Sequence, residues 1–288
     1  MDRSKITILL VSFYSLDHLK RITKELRNNK IIIIDNSREK KVEEYFKSKK
    51  NIKVIFPKKN LGYGCGNNLG IKKSKTKFCI ILNPDTFFSK HNLKQTLSYI
   101  KKIDDFGILL PRLDNNLSKK PFIKNKENYV KANYKYIGYS YASGCAMVIN
   151  KSKFKNTNIF DNKIFLYKEE TDLIKRCNDN KIPCYLLRNA KVKHFGTKSL
   201  NTKKISSFES DKFRNWHWTW SNFYFYKKHF GFSYAFIKFF RSIFSSLCKT
   251  LFYYFFDYKK HEIYKSRLKG FLASIFGKRS TYRMQKLV

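Results

Sequence analysis

Three times in the first 85 residues an apolar run gives way to a polar or glycine-rich cluster. Residues 6–13 (ITILLVSF) open the chain with a β-branched stretch suited to a strand buried on both faces. Leu16, Leu19, Ile22 and Leu26 then recur at helical spacing. A second strand, Ile31 to Ile34, ends at Asp35-Asn36-Ser37, and residues 39–50 return to a charged helical pattern. A third strand, Ile52 to Phe56, leads into the glycine-rich segment Asn60–Gly70. A fourth, Phe78 to Leu82, ends at Asn83-Pro84-Asp85. Strand and helix alternating in this way predict an α/β fold. Its sheet is Rossmann-like, open and mostly parallel, with helices on both faces. Right-handed crossovers make a doubly wound topology the economical one. Ligands of such sheets bind beyond the carboxyl ends of the strands, where the three clusters fall.

Charge narrows the range of partners. The chain holds 61 Lys and Arg against 21 Asp and Glu, a formal charge of +40, so it is expected to meet nucleic acid, acidic lipid headgroups or phosphorylated substrates. Hydrophobic residues at 42% supply a core, which excludes wholesale disorder. The six cysteines form no Cys-x-x-Cys pair, so neither a zinc site nor a redox motif is expected. They fit a reducing cytoplasm, and the first apolar run is too short for a signal peptide or a span. No run reaches the length of a transmembrane helix.

The second half is less regular. Residues 114–136 read as a long polar loop, and 139–149 as a turn followed by a short strand. The acids Glu169, Glu170 and Asp172 open a helix running through Cys177; segments 184–188 and 190–195 look like short strands. The acids would suit a helix start, and Asp172 is placed to bridge Arg176 at i+4. From about residue 203 the chain turns aromatic and basic, and a boundary there separates a domain of residues 1–202 from an extension of 203–288. On a helical wheel over 232–251, Phe232, Phe236, Phe239, Phe240, Ile243, Phe244, Leu247 and Leu251 share one face; Lys238, Arg241 and Lys249 lie opposite. That is the pattern of an amphipathic helix lying in an anionic membrane surface. Trp216, Trp218 and Trp220 suit the headgroup zone, and a second stretch, 263–276, is read the same way.

Six segments, in this order, resemble the family 2 glycosyltransferases of GT-A fold, and in particular their rhamnosyltransferase-like branch. They are IIIIDNS (31–37), NLGYGCGNNLGI (60–71), LNPD (82–85), SGCAMVI (143–149), FDNKIFLYKEETDLIKR (160–176) and VKHFGTKS (192–199). The resemblance implies an inverting, metal-assisted transfer of sugar from a dTDP- or UDP-sugar to a saccharide or lipid-linked saccharide. The setting would be polysaccharide assembly at the inner face of the cell membrane, with dTDP-rhamnose as the donor the branch suggests. It places Asp35 against the base and Asn60, Gly62 and Asn68 along the nucleotide. Asn83 and Asp85 stand where the family carries Asp-x-Asp, so Asp85 would ligate Mg²⁺ or Mn²⁺, with a neutral Asn83 in place of the first acid. His194 would join the metal or touch the diphosphate. Gly144 would let the backbone pass close to the sugar. Glu170 would be the base, with Glu169 as its alternative, and Lys198 and Arg176 would lie near the leaving group.

Three other readings compete, one of them a catalytically silent, membrane-bound scaffold, because Asn83 in place of an acid weakens the metal motif. A cationic, aromatic chain could bind nucleic acid, but that leaves the ordered strand-end clusters unexplained, and no nucleic-acid partner is expected. A nucleotidyltransferase on a similar sheet would release pyrophosphate instead of a nucleoside diphosphate. The glycine-rich segment lacks the lysine of a phosphate-binding loop and does not directly follow the first strand, which disfavours an ATPase and a dinucleotide site.

Overall fold

The computed structural model describes residues 5–113, 134–138, 143–195 and 206–283. The chain divides into two compact units, one of Met1–Asp161 with Glu170–Leu200, the other of Asn162–Glu169 with Asn201–Val288.

The first unit follows the predicted alternation: β1 (Ile6–Ser12), α1 (Leu16–Glu25), β2 (Lys30–Asp35), α2 (Lys40–Phe46), β3 (Ile52–Ile55), α3 (Gly62–Lys73) and β4 (Phe78–Leu82). Strands β3-β2-β1-β4 lie side by side and parallel. Successive side chains of a strand face opposite sides, and β1 shows it: Ile6, Ile8 and Leu10 join one core, Leu9 the other. Helices α1 and α2 cover the first face through Leu19, Ile22, Val42 and Phe46; α3 covers the second through Ile71.

Beyond β4 the sheet becomes mixed. It continues with β5 (Thr86–Phe87), α4 (Lys90–Lys102), β6 (Ile108–Leu113), β7 (Tyr134–Tyr136), β8 (Ala146–Asn150), α5 (Glu169–Asp179) and β9 (Cys184–His194). Strand β8 inserts antiparallel between β4 and β6, and β9 pairs parallel with β6 and antiparallel with β5. Three segments differ from the sequence reading. Residues 134–136 are a strand on β9, not loop. The two short strands at 184–195 are one, β9, because a register shift opposite Pro111 and Arg112 absorbs the irregularity. The glycine-rich segment, expected as a loop leading into a helix, is already helical from Gly62, where α3 begins. An added Cβ at Gly66 would meet Val11 Cγ1 at 2.9 Å and one at Gly70 would meet Leu9 at 3.3 Å, so these two glycines let α3 lie directly on β1.

The second unit contains α6 (Ser207–Phe230), α7 (Phe232–Phe256) and α8 (Tyr258–Ile275). Gly231, at φ +89°, turns the chain between α6 and α7. Helices α6 and α8 approach so closely that a Cβ on Gly270 would lie 2.2 Å from Thr219 Oγ1 and 2.4 Å from the Trp216 carbonyl oxygen. Trp216 and Trp220 are buried and stacked, so they belong to this core; of the three tryptophans only Trp218 is exposed. The 263–276 stretch lies almost wholly in α8, a packed helix with Ser266, Gly270, Phe271 and Ser274 buried, not a second free face. The apolar face read on α7 divides. Phe239 and Ile243 pack against Phe223 and Phe271, whereas Phe232, Phe236, Phe240, Phe244, Leu247 and Leu251 remain exposed. Among the described residues no helix is long and apolar enough to cross a membrane.

Candidate active site

The end of β4 passes straight into the Asn83–Asp85 turn. Asn83 N donates to the Cys145 carbonyl at 2.9 Å, and Thr86 Oγ1 donates to the same oxygen at 3.1 Å. The residue preceding β8 therefore holds the turn that carries Asp85. Strand β9 returns beside β5 with Thr86 opposite His194. This register brings His194 Nε2 to 3.1 Å from Asp85 Oδ1. Asp85 is buried; the His194 side chain keeps 27% of its surface exposed.

Gly144, next to Cys145, faces Glu170. A Cβ at Gly144 would sit 3.4 Å from Glu170 Cδ and Oε2 and equally far from Tyr63 Oη. Tyr63 Oη donates to the Gly144 carbonyl, pinning this peptide to α3. The Cys145 thiol registers both acids. Burial chiefly pushes its pKa up to about 11; Ser143 opposes the rise, while the charges of Asp85 and Glu170 add to it. Asp85, His194, Gly144 and Glu170 are thus brought together around residues 143–145.

The adjacent acids separate. Glu170 is half-exposed at the Gly144 cluster. Glu169 is buried and falls in the other unit, where its charge acts on Tyr167. Tyr167 and Lys168 precede them at φ +68° and +70°, two consecutive left-handed residues that lack glycine's freedom. Such strain persists only where surrounding structure imposes it, and it clusters at functional sites.

Other predicted residues hold the frame. The Asp35 carboxylate is fully buried: Oδ1 accepts from Ser12 Oγ at 2.8 Å and Ser37 Oγ at 2.7 Å, and Oδ2 accepts from Glu39 N at 3.0 Å. It fixes the β2–α2 turn and offers no open face to a base. Asn60 Oδ1 accepts from Gly62 N at 2.9 Å, which sets the start of α3, and Gly62 adopts φ +76° there. Asn68 clasps the Phe160 backbone, donating to its carbonyl at 2.8 Å and accepting from its N–H at 2.9 Å; both amide groups are engaged in the fold. Arg176 bonds Asp172 at 2.8 Å and the Ile159 carbonyl at 2.6 Å, so it braces α5 and is not a cation of the cluster. Lys198 lies outside the described residues. Sequence reading missed Asn36, whose amide accepts from Leu61 N at 3.0 Å and donates to Gly62 O at 3.2 Å. It also missed Tyr63 and Cys145. The position of Asn36 beside Asp35 at a strand end was the available signal.

The donor set suits a divalent cation. A carboxylate oxygen and an imidazole nitrogen lie side by side, and a cation that completes its shell with phosphate oxygens and water needs few protein ligands. Among the described residues no group of three His, Cys, Asp or Glu could hold a metal by itself.

A sheet of this topology, with an Asp–His pair at one strand end and an acid beyond β8, defines a GT-A-type glycosyltransferase fold. S. aureus TarS (residues 1–349) matches 97% of this chain over 94% of its own, with a TM-score of 0.52 and 12% identity. The mannosyltransferase PcManGT from Pyrobaculum calidifontis, solved with GDP-Man and Mn²⁺, matches 96% of this chain over 88% of its own, with a TM-score of 0.56 and 7% identity. GalNAc-T7, solved with UDP, GalNAc and Mn²⁺, matches 84% over 57%, with a TM-score of 0.54 and 12% identity. At such identities the likeness is one of fold. No curated protein sequence gives a significant match. Residues 7–157 match the family model described as Glycosyl transferase family 2. The chain belongs to that family and is a glycosyltransferase.

Proposed function

We propose that this enzyme transfers a sugar, with inversion at the anomeric carbon, from a nucleoside-diphosphate sugar to a saccharide or lipid-linked saccharide of a cell-surface polysaccharide. The carrying observation is the 143–145 segment: Gly144 faces Glu170, and the Cys145 carbonyl binds the two residues that flank Pro84-Asp85. Glu170 is the base. It takes the proton of the acceptor hydroxyl as that oxygen bonds to the anomeric carbon and the nucleoside diphosphate departs. Gly144 leaves the space beside Glu170 open to the sugar. Asp85 and His194 would hold Mg²⁺ or Mn²⁺, with Asn83 two residues before Asp85 in the same turn. When bound, the cation offsets the charge developing on the departing diphosphate.

TarS structures with UDP and with UDP-GlcNAc, and PcManGT with GDP-Man, support a nucleoside-diphosphate sugar donor, and the branch resemblance suggests dTDP-rhamnose. The exposed aromatic face of α7, in a chain of charge +40, supports peripheral attachment to an anionic membrane at its cytoplasmic side.

Glu170→Gln tests the core of the reading. The amide keeps the shape and loses the base, so turnover should fall about 10²-fold or more while donor affinity stays within twofold. Donor binding is read by calorimetry and turnover by release of the nucleoside diphosphate. Undiminished turnover in this variant removes Glu170 from the base role.

A further inference from the structure

We propose that the helical unit carries a binding pocket for a phosphate or diphosphate ester at the carboxyl end of α8. A cavity of about 550 Å³ opens there, within the range of small-molecule sites. All its lining residues belong to the helical unit, and none takes part in the cluster around Asp85, His194 and Glu170.

Its lining charge is one-sided. Lys163, Lys227, Lys228, Lys278 and Arg279 line it, and among the described residues no carboxylate does. The plain explanation is that cations complement a helix carboxyl terminus, but Lys227 already does so: its Nζ donates to the Ile275 carbonyl at 3.0 Å and the Ser274 carbonyl at 3.4 Å. A helix end amounts to about half a negative charge, which one ammonium more than offsets. The end of α8 is also closed by its own backbone, with Lys278 N bonding the Ala273 carbonyl at 2.8 Å and Gly277 N the Ser274 carbonyl at 3.2 Å. The other four cations stand on the exposed rim. Lys278 and Arg279, just past the end of α8, add charge beyond what the helix end requires, at the rim of a concave space.

The walls indicate what the anion is attached to. Trp220 and Tyr224 stack at 4.9 Å with 16° between their planes, and the Lys228 ammonium lies 6.0 Å from the Tyr224 ring. Trp220 is 2% exposed and lies behind Tyr224, so the half-buried Tyr224 ring is the aromatic surface beside the cations; it suits an ester whose organic part rests on that ring while its phosphate meets the ammonium and guanidinium groups. Ser274 adds a polar feature: it is 2% exposed, lines the cavity, and its Oγ has no hydrogen-bond partner among the described residues.

Inorganic pyrophosphate is the first probe, titrated into the full chain by calorimetry. The titration uses EDTA and an Asp85→Ala background, so that failure of the proposed active site cannot alter the result. Saturable one-to-one binding is expected, weakened about tenfold or more in Lys278→Ala/Arg279→Ala and in Lys228→Ala at unchanged melting temperature. The control is Lys101→Ala/Lys102→Ala, which removes the same charge from the exposed end of α4 and should leave binding within twofold. Absence of saturable binding, or equal weakening in pocket and control variants, overturns the pocket and leaves diffuse surface charge. Phosphatidylcholine vesicles doped with phosphatidic acid then separate the sources. Binding that pyrophosphate displaces and the pocket variants lose identifies a lipid headgroup; pyrophosphate binding that the vesicles do not compete for identifies a soluble ester.

Discussion

Asp85 and His194 are separated by more than a hundred positions, yet they meet at hydrogen-bond distance because β5 and β9 pair in a register that aligns Thr86 with His194. With two donors so placed, the aspartate would be the charged half of the proposed cation site. Asp85→Ala is therefore expected to abolish metal-dependent donor binding and to lower turnover at least 10²-fold. Calorimetry with and without Mn²⁺ checks it; donor binding that still responds to Mn²⁺ in this variant removes Asp85 as a ligand. The residue type and the strand-end position of Asp85 were legible in the sequence. So was the pairing of Asp172 with Arg176, a local i,i+4 relation. Asp35 and Asn68 were legible as special, but their work was not. Saturation of a carboxylate by Ser12, Ser37 and Glu39, and the clasp of Asn68 on Phe160 across 92 positions, depend on contacts that no local pattern encodes.

Among the elements, the glycine-rich segment shows how composition misleads. Three alternate glycines, 62, 64 and 66, suit a loop, yet the chain is helical from Gly62 on, and Gly66 and Gly70 are spaced one helical turn apart to seat α3 on β1. Gly270 does the same for α8 against α6, and under more severe crowding. Because one of its neighbours is the Trp216 backbone carbonyl, a Cβ there cannot be absorbed by turning a side chain. Gly270→Ala should cost about 1–3 kcal/mol, read as a lower urea midpoint for the helical unit. An unchanged midpoint would show that the two helices can separate without loss.

For the whole molecule, pH and membrane contact offer the sharpest tests. His217 is buried in the helical unit; its Nε2 donates to the Tyr282 carbonyl at 2.9 Å, and Ser280 Oγ lies 3.0 Å from Nδ1. Burial holds its pKa down at about 3, against the Tyr282 bond, which favours the proton, and with help from Arg283. The unfolded histidine, at 6.5, binds a proton that the folded one refuses. Its contribution to stability is full above about pH 6.5 and declines as pH falls toward 3, by about 1.4 kcal/mol per pH unit. Urea unfolding between pH 7 and 5 should show this slope, and His217→Gln should flatten it. At the membrane, Phe240→Glu/Phe244→Glu places two charges on the exposed face of α7 without touching Phe239 or Ile243. Co-sedimentation with anionic vesicles should fall about tenfold at unchanged melting temperature. Full retention would remove the proposed membrane contact from this face.

The sequence by itself determined the parallel half of the sheet, the strand ends that carry the site and the helical character of the tail. Buried strands and amphipathic helices are written in local periodicity, and polar clusters at strand ends follow directly from it. Only the tertiary structure decided that β8 enters antiparallel, that Glu169 and Glu170 part company, that Trp216 and Trp220 are core, and which edge of α7 stays uncovered. Each of these turns on which surfaces meet across long separations in the chain. Close packing settles that choice, and a residue's neighbours in sequence carry no record of it.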